Sequence, residues 1–466
     1  MTSTVKVNNV QASDGGNIIN QCGTNITIGA SGDTIALASG ASQTGFGRSG
    51  SVDWQTTPKT STFTAASGEG YFINSGSSIT ANLPAGSAGA IVAFSDYARN
   101  FATYPFIIAP NGSEKIGGVA ETLQLDVNGQ AITLVYVDST KGWVNVQNAE
   151  DTEVGLAAAF IAATGGTVTT VCTNFKVHTF TGPGTFCVSC AGNSKGSDKV
   201  SYLVVAGGGE GGSTSPSNGG GGGGAGGFRE AKNPDGGYTA SPIASTCGLA
   251  VTGAIPITVG AGGAQQPNPS NNMGNAGSNS IFSTITSAGG GGAKYDGSAN
   301  PAAQSGGSGG GGAATSVPNQ PTRSPGGSGN TPPVSPPQGN NGGTGGPNAD
   351  GTHGGGGGGG ATGAGGNVNP GTAAGTGGVG ATTNITGSPV AYAGGGGAAA
   401  TAGGAPSRGA ASPCGTGGQG GSSPNLDGSA GTTNRGGGGG GGGWPAAGTA
   451  RGAGGSGIVI IRYKFQ

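Results

Sequence analysis

Charge is scarce in this chain. Only 8% of its 466 residues are Asp, Glu, Lys or Arg, and the formal net charge is −1. A protein that tracks nucleic acid or an anionic lipid surface carries a basic patch, so neither partner is expected. The same scarcity argues against ordinary disorder, which combines weak hydrophobicity with high net charge. Long apolar runs are missing as well. The longest, Val154 to Thr164, falls short of the ~20 residues that a membrane helix requires, so no membrane insertion is expected. The opening MTSTVKVNNV has neither a charged nor an apolar signal region, so no signal peptide is expected.

Catalytic signatures are equally thin. His178 and His353 are the only histidines, and no Gly-Lys dipeptide or HExxH string occurs. After residue 200 the carboxylates, such as Glu210, Glu230, Asp296 and Asp427, stand mostly alone. A glycosidase would need two of them within about 5–9.5 Å. The expectation is therefore no enzyme and no cofactor. Six cysteines are scattered along the chain, and Cys187 and Cys190 have CxxC spacing. Zinc would need two further ligands nearby, and only Cys172 and His178 are close in sequence. Thiols buried in β structure are the expectation, with no metal; a local disulfide is the alternative.

What the chain has is glycine. Of 111 glycines, only 26 precede residue 201. The rest come partly as unbroken runs: Gly219 to Gly224, Gly289 to Gly292, Gly354 to Gly360, Gly394 to Gly397 and Gly436 to Gly443. Collagen needs glycine at every third position, and these runs have no triplet phase. A Gly/Ser linker of such length would have no obvious purpose. A silk-like sheet would want Gly-Ala alternation, which is present only in fragments such as Gly371 to Ala374. A bundle of polyglycine II helices fits best. Extended three-residue turns point each amide sideways at a neighbour, and only glycine fits where helices touch. Ordering each residue costs roughly 1–2 kcal/mol, whereas a hydrogen bond returns about 0.5–1.5 kcal/mol net. Nearly every donor must then be paired, and anchors at the ends matter.

The chain parses into six segments. Residues 1–50 repeat an apolar pair, Ile26 and Ile28 and then Ile35 and Leu37, as β-helix-like rungs would. Residues 51–148 hold apolar runs at roughly 10-residue spacing, as in a β-sandwich or barrel, with Trp54 and Trp143 as core candidates. Residues 149–172 read as a linker or short helix, and 173–206 as strands at the base of a tip. The glycine-rich tip is 207–456, closed by a strand at 457–466. The strands Val200 to Val205 and Gly457 to Tyr463 bracket the glycine body, so they are expected to pair. Seven prolines between Pro318 and Pro337 predict a rigid exposed loop.

These residues carry a resemblance. Val52 to Thr60, Leu83 to Gly86, Pro110 to Gly117 and Leu134 to Trp143 resemble a module repeated in tail fibres of marine bacteriophages. Phe180 to Phe186, Tyr202 to Gly209 and Gly457 to Tyr463 resemble the glycine-rich C-terminal domain of phage fibres. The tail is also similar to distal tail-fibre adhesins, whose polyglycine II body carries receptor-touching loops. The resemblance implies a virion tail fibre, extracellular when acting, that binds a host cell-surface glycan or outer-membrane protein. It also implies homotrimers and contacts to other tail proteins through the N-terminal region. Aromatic and arginine residues between the runs are the candidate receptor contacts: Phe228, Arg229, Tyr238, Tyr295, Arg323, His353 and Trp444. Each could equally pack or cap the bundle. An ice-binding glycine-rich protein and a polysaccharide-degrading tailspike are the alternatives.

Overall fold

The computed structural model describes residues 9–11, 17–22, 25–28, 52–147, 158–213, 219–266, 273–294, 302–314, 323–346, 354–369, 373–400, 409–422, 426–443 and 450–466. The chain divides into two compact units, 1–157 and 158–466. Both are built from β structure, and a 3-10 turn at Pro234–Gly236 is the only helical element among the described residues.

The first unit begins with strands β1 (Asn9–Gln11), β2 (Asn17–Cys22) and β3 (Asn25–Ile28). They form an antiparallel meander, with Asn20 opposite Thr27. This differs from the stacked parallel rungs expected for 1–50. The NITI segment turns back on β2 instead, and its repeat at Ile35 and Leu37 lies outside the described residues.

A two-sheet sandwich follows. The strands are β4 (Asp53–Lys59), β5 (Phe63–Thr64), β6 (Glu69–Ile73), β7 (Thr80–Asn82), β8 (Ile91–Asp96), β9 (Phe106–Ala109), β10 (Leu123–Leu125), β11 (Ala131–Asp138) and β12 (Gly142–Asn145). From β4 to β9 the chain alternates between the sheets. Thus β4, β6 and β8 run parallel in one sheet, and β5, β7 and β9 run parallel in the other. The antiparallel β11 and β12 extend the first sheet and β10 the second. Strand periodicity explains the core: Tyr71 and Ile73, Val92 and Phe94, Phe106 and Ile108, and Ile132 and Leu134 all point inward two residues apart. Trp143 is fully buried among them, whereas Trp54 is 40% exposed and stacks on Phe72. Gly142, at φ 69°, opens the strand that carries Trp143, and a side chain there would strike the Lys115 carbonyl.

The second unit opens with β13 (Ile161–Thr164) and β14 (Thr167–Val171), so part of the segment read as a linker is strand. The alanine run continues into Thr164, and β13 pairs with β16 (Gly184–Ala191). Next come β15 (Phe175–Phe180), β17 (Lys199–Val205), β18 (Phe228–Ala231), β19 (Leu249–Ala250), β20 (Gly253–Thr258), β21 (Ser280–Phe282) and β22 (Ile285–Ser287). Last are the hairpin β23 (Ala381–Thr383) and β24 (Val390–Tyr392), and the closing β25 (Ile458–Lys464). One sheet has the order β13-β16-β20-β21-β22; the other runs β14-β15-β25-β17-β18, with β19 also on β17. Strands β17 and β25 are antiparallel neighbours, Val205 opposite Ile458, so the strands that bracket the glycine body are joined.

Exposed thiols correct another expectation. Cys172, Cys187, Cys190 and Cys247 are free and exposed, and Cys414 is free and half-buried. On β16 the alternation turns Phe186 inward, which places Cys187 outside, and a register shift against β13 precedes Cys190. No group that could hold a metal occurs among the described residues.

Between the strands, the glycine runs are held by main-chain hydrogen bonds that cycle every three residues. In the run 206–212, the amides of Ala206, Gly209 and Gly212 donate to the carbonyls of Gly227, Gly224 and Gly221. Those of Gly207 and Glu210 donate to Ser278 and Asn275, and those of Gly208 and Gly211 to Gly455 and Gly452. Run 354–360 repeats the pattern: Gly355 and Gly358 donate to Ala399 and Gly396, Gly356 and Gly359 to Gly312 and Gly309, and Gly357 and Gly360 to Gly366 and Gly363. Each run thus addresses three different neighbours. Sequence dictates this packing through what it omits. A methyl group on Gly358 would run into the Gly223 carbonyl, and one on Gly438 would meet the same oxygen.

Candidate functional site

The glycine body has two distinct ends. At the sheet end, Ala206 bonds to Gly227, Gly226 to Gly436, Gly436 to Ser456 and Gly457 to Gly260, each beside a strand terminus. Aromatic side chains collect here. Phe228 and Tyr392 pack with Val177, Leu203, Val205 and Ile460, while Phe282 packs on the opposite face with Phe186 and Tyr202. The proline-rich stretch sits at this end too. Gln338, which ends it, is fully buried and accepts the Phe228 amide on its carbonyl and the Ala288 amide on its side chain. Pro332, Pro333, Pro336 and Pro337 stand beside it, three of them exposed and Pro336 half-buried.

At the other end, about 20 Å away at ~3 Å per residue, the chain leaves and re-enters the body repeatedly. Gly442 bonds to Gly212, Gly220 to Gly442, Ala399 to Gly220, Gly355 to Ala399, Gly346 to Gly354 and Ala314 to Gly219. Ala400 bonds to Gly421, and Gly443 to Leu426. These residues are the described flanks of 214–218, 315–322, 347–353, 401–408, 423–425 and 444–449. Six connecting segments therefore start and finish within one hydrogen-bonded patch, the apical end.

A buried polar knot secures the approach to this end. The fully buried Glu210 accepts the Arg451 guanidinium at 2.8 Å, with Arg451 itself 2% exposed. One carboxylate oxygen also accepts the Gln266 amide at 2.6 Å and the other the Asn275 amide at 2.7 Å. Arg451 reaches on to the Gln266 side chain at 2.8 Å. Burial pushes the Glu210 carboxyl up in pKa, against the lowering effect of the two amides and of Arg451. Burial likewise lowers Arg451, against the raising effect of Glu210. An unpaired charge at such a site would be costly, whereas the full set of partners makes it tolerable. The knot joins the first glycine run to both feet of the 267–272 segment and to the final run.

The residues singled out from sequence divide between the ends. Phe228 is not on a loop surface: β-branched and aromatic neighbours draw it into β18, where it is 2% exposed. Arg229, on the same strand, is half-buried and donates to the Thr286 carbonyl at 3.4 Å. Tyr238, also half-buried, lies over the Lys232 ammonium and the Arg462 guanidinium. Burial raises its hydroxyl pKa far above the ordinary range, with the Glu230 carboxylate adding to the shift. Those three belong to the sheet end. Arg323 is exposed at the apical end, next to Ser324, whose carbonyl accepts the Gly345 amide. Tyr295, His353 and Trp444 lie outside the described residues; their neighbours Lys294, Gly354 and Gly443 continue apical runs.

Sequence reasoning missed the knot. Its one signal was Glu210 itself, a carboxylate set between Gly207–Gly209 and Gly211–Gly212. Its partners Gln266, Asn275 and Arg451 had none.

A family model described as a glycine-rich domain matches residues 179–464. The match runs from β15 to the end of β25 and so takes in both the bracketing strands and the body between them. No curated protein matches the sequence.

Proposed function

The chain belongs to the glycine-rich domain family, and from that premise we propose that it is the receptor-binding tip protein of a bacteriophage tail fibre. In this reading the runs within 207–456 are polyglycine II-type helices bundled into a rigid body, closed by the strand at 457–466. Residues 1–148 supply attachment to other tail proteins and the shaft, and the fibre is a homotrimer. The protein acts outside the host cell as part of the virion. It performs no catalysis and needs no cofactor; it binds a surface glycan or outer-membrane protein, and several copies add avidity.

The observation that carries this reading is the separation of the ends. One end is a packed sheet with a side-chain core, and at the other six chain segments meet in one patch. A body held by main-chain bonds can present variable segments at one end without altering its own packing, which suits recognition. The triplet cycle of donors supports the polyglycine II reading, since three residues per turn aim successive amides in three directions.

Binding of fluorescently labelled full-length protein to a panel of marine bacterial isolates tests the reading. Replacing 315–322 and 347–353 by Gly-Ser segments of equal length is expected to abolish binding to the responsive strain. Replacing 331–337 at the sheet end is expected to leave binding intact. The reverse outcome would move recognition away from the apical end, and a panel with no responsive strain would end the adhesin reading.

A further inference from the structure

Two clefts border the β23–β24 hairpin on the face of the six-stranded sheet, and each contains an arginine. In one, of about 420 Å³, Arg462 is fully buried. Its Nε, Nη1 and Nη2 donate to the carbonyls of Gly236, Ile385 and Gly237 at 2.9, 3.1 and 3.0 Å. That guanidinium also lies 4.4 Å over the Phe175 ring. It is committed to holding the 234–237 turn and the hairpin onto the sheet.

The other cleft, of about 320 Å³, is different. Its floor is Ile458 and Ile460 of β25, Tyr392 forms an apolar wall, and Thr181 and Thr433 stand on the rim. Arg435 closes one side with its guanidinium 4.8 Å over the Tyr392 ring. It is half-buried and belongs to no ion pair among the described residues. Its backbone is fixed from both sides: the amide donates to the Ser456 carbonyl at 3.1 Å, and the carbonyl accepts the Ala393 amide at 2.7 Å. The preceding Asn434, at φ 57°, is tied to the Ser456 hydroxyl through both its amide and its side chain. The arginine is thus mounted on a rigid turn, beside an apolar floor and a hydroxyl rim.

We propose that this cleft binds a carboxylate-bearing pyranose, a uronic acid residue. The floor of Ile458 and Ile460 accepts the C–H face of the ring, and the threonine hydroxyls meet the sugar hydroxyls. Arg435 pairs with the carboxylate, for which its planar fork is suited. A few placed polar groups around an apolar floor is the usual make-up of a small-ligand site. The site lies at the sheet end and does not depend on apical recognition, so either assignment can fail without the other.

Saturation-transfer NMR and calorimetry on the full-length protein, with D-glucuronic acid and D-glucose as probes, test the assignment. Glucuronate is expected to bind about tenfold or more tightly than glucose, because a neutral sugar leaves the cation without its anion. Arg435→Gln is expected to bring glucuronate down to the level of glucose, and Arg435→Lys to retain part of the preference. Thr433→Val, on the rim and remote from the packed floor, is expected to weaken both sugars, while Arg323→Gln changes neither. Equal binding of the two sugars, binding of neither, or wild-type preference in Arg435→Gln with an unchanged thermal melt would each overturn it.

Discussion

The sandwich at 53–145 and the glycine body at 206–457 solve one problem with opposite materials. In the sandwich, Trp143, Phe94, Phe101 and Phe106 are buried to 1% exposure or less, and side chains fill the space between sheets. In the body, the buried residues are mostly glycine, and main-chain amides reach directly from run to run. Apolar burial is non-directional and tolerates changes of shape. A lattice of main-chain bonds is directional and leaves no room at the contacts. The first design depends on what its side chains are, the second on their absence.

The largest effect is expected where the body departs from its own rule. Glu210→Ala removes the anion opposite Arg451 along with the acceptors for Gln266 and Asn275. Breaking a buried pair from one side costs about 3–5 kcal/mol, and two further lost acceptors place this variant at the top of that range. Calorimetry on the 158–466 unit would register it as a lowered transition. A shift no larger than that of an exposed substitution would mean that main-chain bonds alone set the body's stability. Next comes Trp143→Ala in the sandwich, expected to cost about 4 kcal/mol through lost burial and a residual cavity. Denaturant titration followed by near-ultraviolet circular dichroism would measure it.

The same contrast explains what could be read from the sequence. The sandwich strands were visible because Ile79 to Leu83, Ala90 to Phe94 and Ala131 to Val137 alternate between Gly, Pro and Asn turns. The pairing of β17 with β25 was visible because two β-branched runs bracket the body. Partner runs were not visible, since a glycine run carries no side chain to mark its neighbour: nothing in Gly354 to Gly360 names 394–400 or 309–312. Phe228 was misplaced for a related reason. It follows a glycine run, and sequence does not say at which end of the body that run finishes. The proline stretch was expected on a binding surface, yet the Phe228 and Ala288 amides bond to Gln338 and hold it at the sheet end.

A sharper form of the comparison uses one methyl group. Gly358→Ala places a carbon against the Gly223 carbonyl, whereas Gly182→Ala meets nothing within 4 Å. Overpacking of this kind costs about 1–3 kcal/mol. Gly182→Ala is expected to lie within about 0.5 kcal/mol of wild type. Amide exchange at the partner runs 394–400 and 309–312 should accelerate in the first variant and not in the second. Equal protection in both would mean that the runs are not in contact as the hydrogen bonds place them.

The smallest effect concerns the seam where the two materials meet. His178 of β15 is fully buried beside β25; its Nδ1 lies 2.7 Å from the Gly165 carbonyl and its Nε2 3.0 Å from the Tyr463 hydroxyl. A carbonyl can only accept, so Nδ1 carries the proton and Nε2 accepts from the tyrosine. Burial lowers the imidazole pKa, with nearby Lys176 acting in the same direction and the Gly165 bond opposing both. The unfolded chain therefore takes up a proton at this site before the folded one does. Stability from the neutral histidine is complete above the unfolded value of about 6.5 and is lost as pH falls toward the lower folded value. The slope over that window is at most about 1.4 kcal/mol per pH unit. Denaturant midpoints at a series of pH values, compared between wild type and His178→Gln, isolate this contribution because His353 is common to both. If the two proteins lose stability in parallel below pH 6.5, the neutral imidazole is not what makes the seam sensitive to acid.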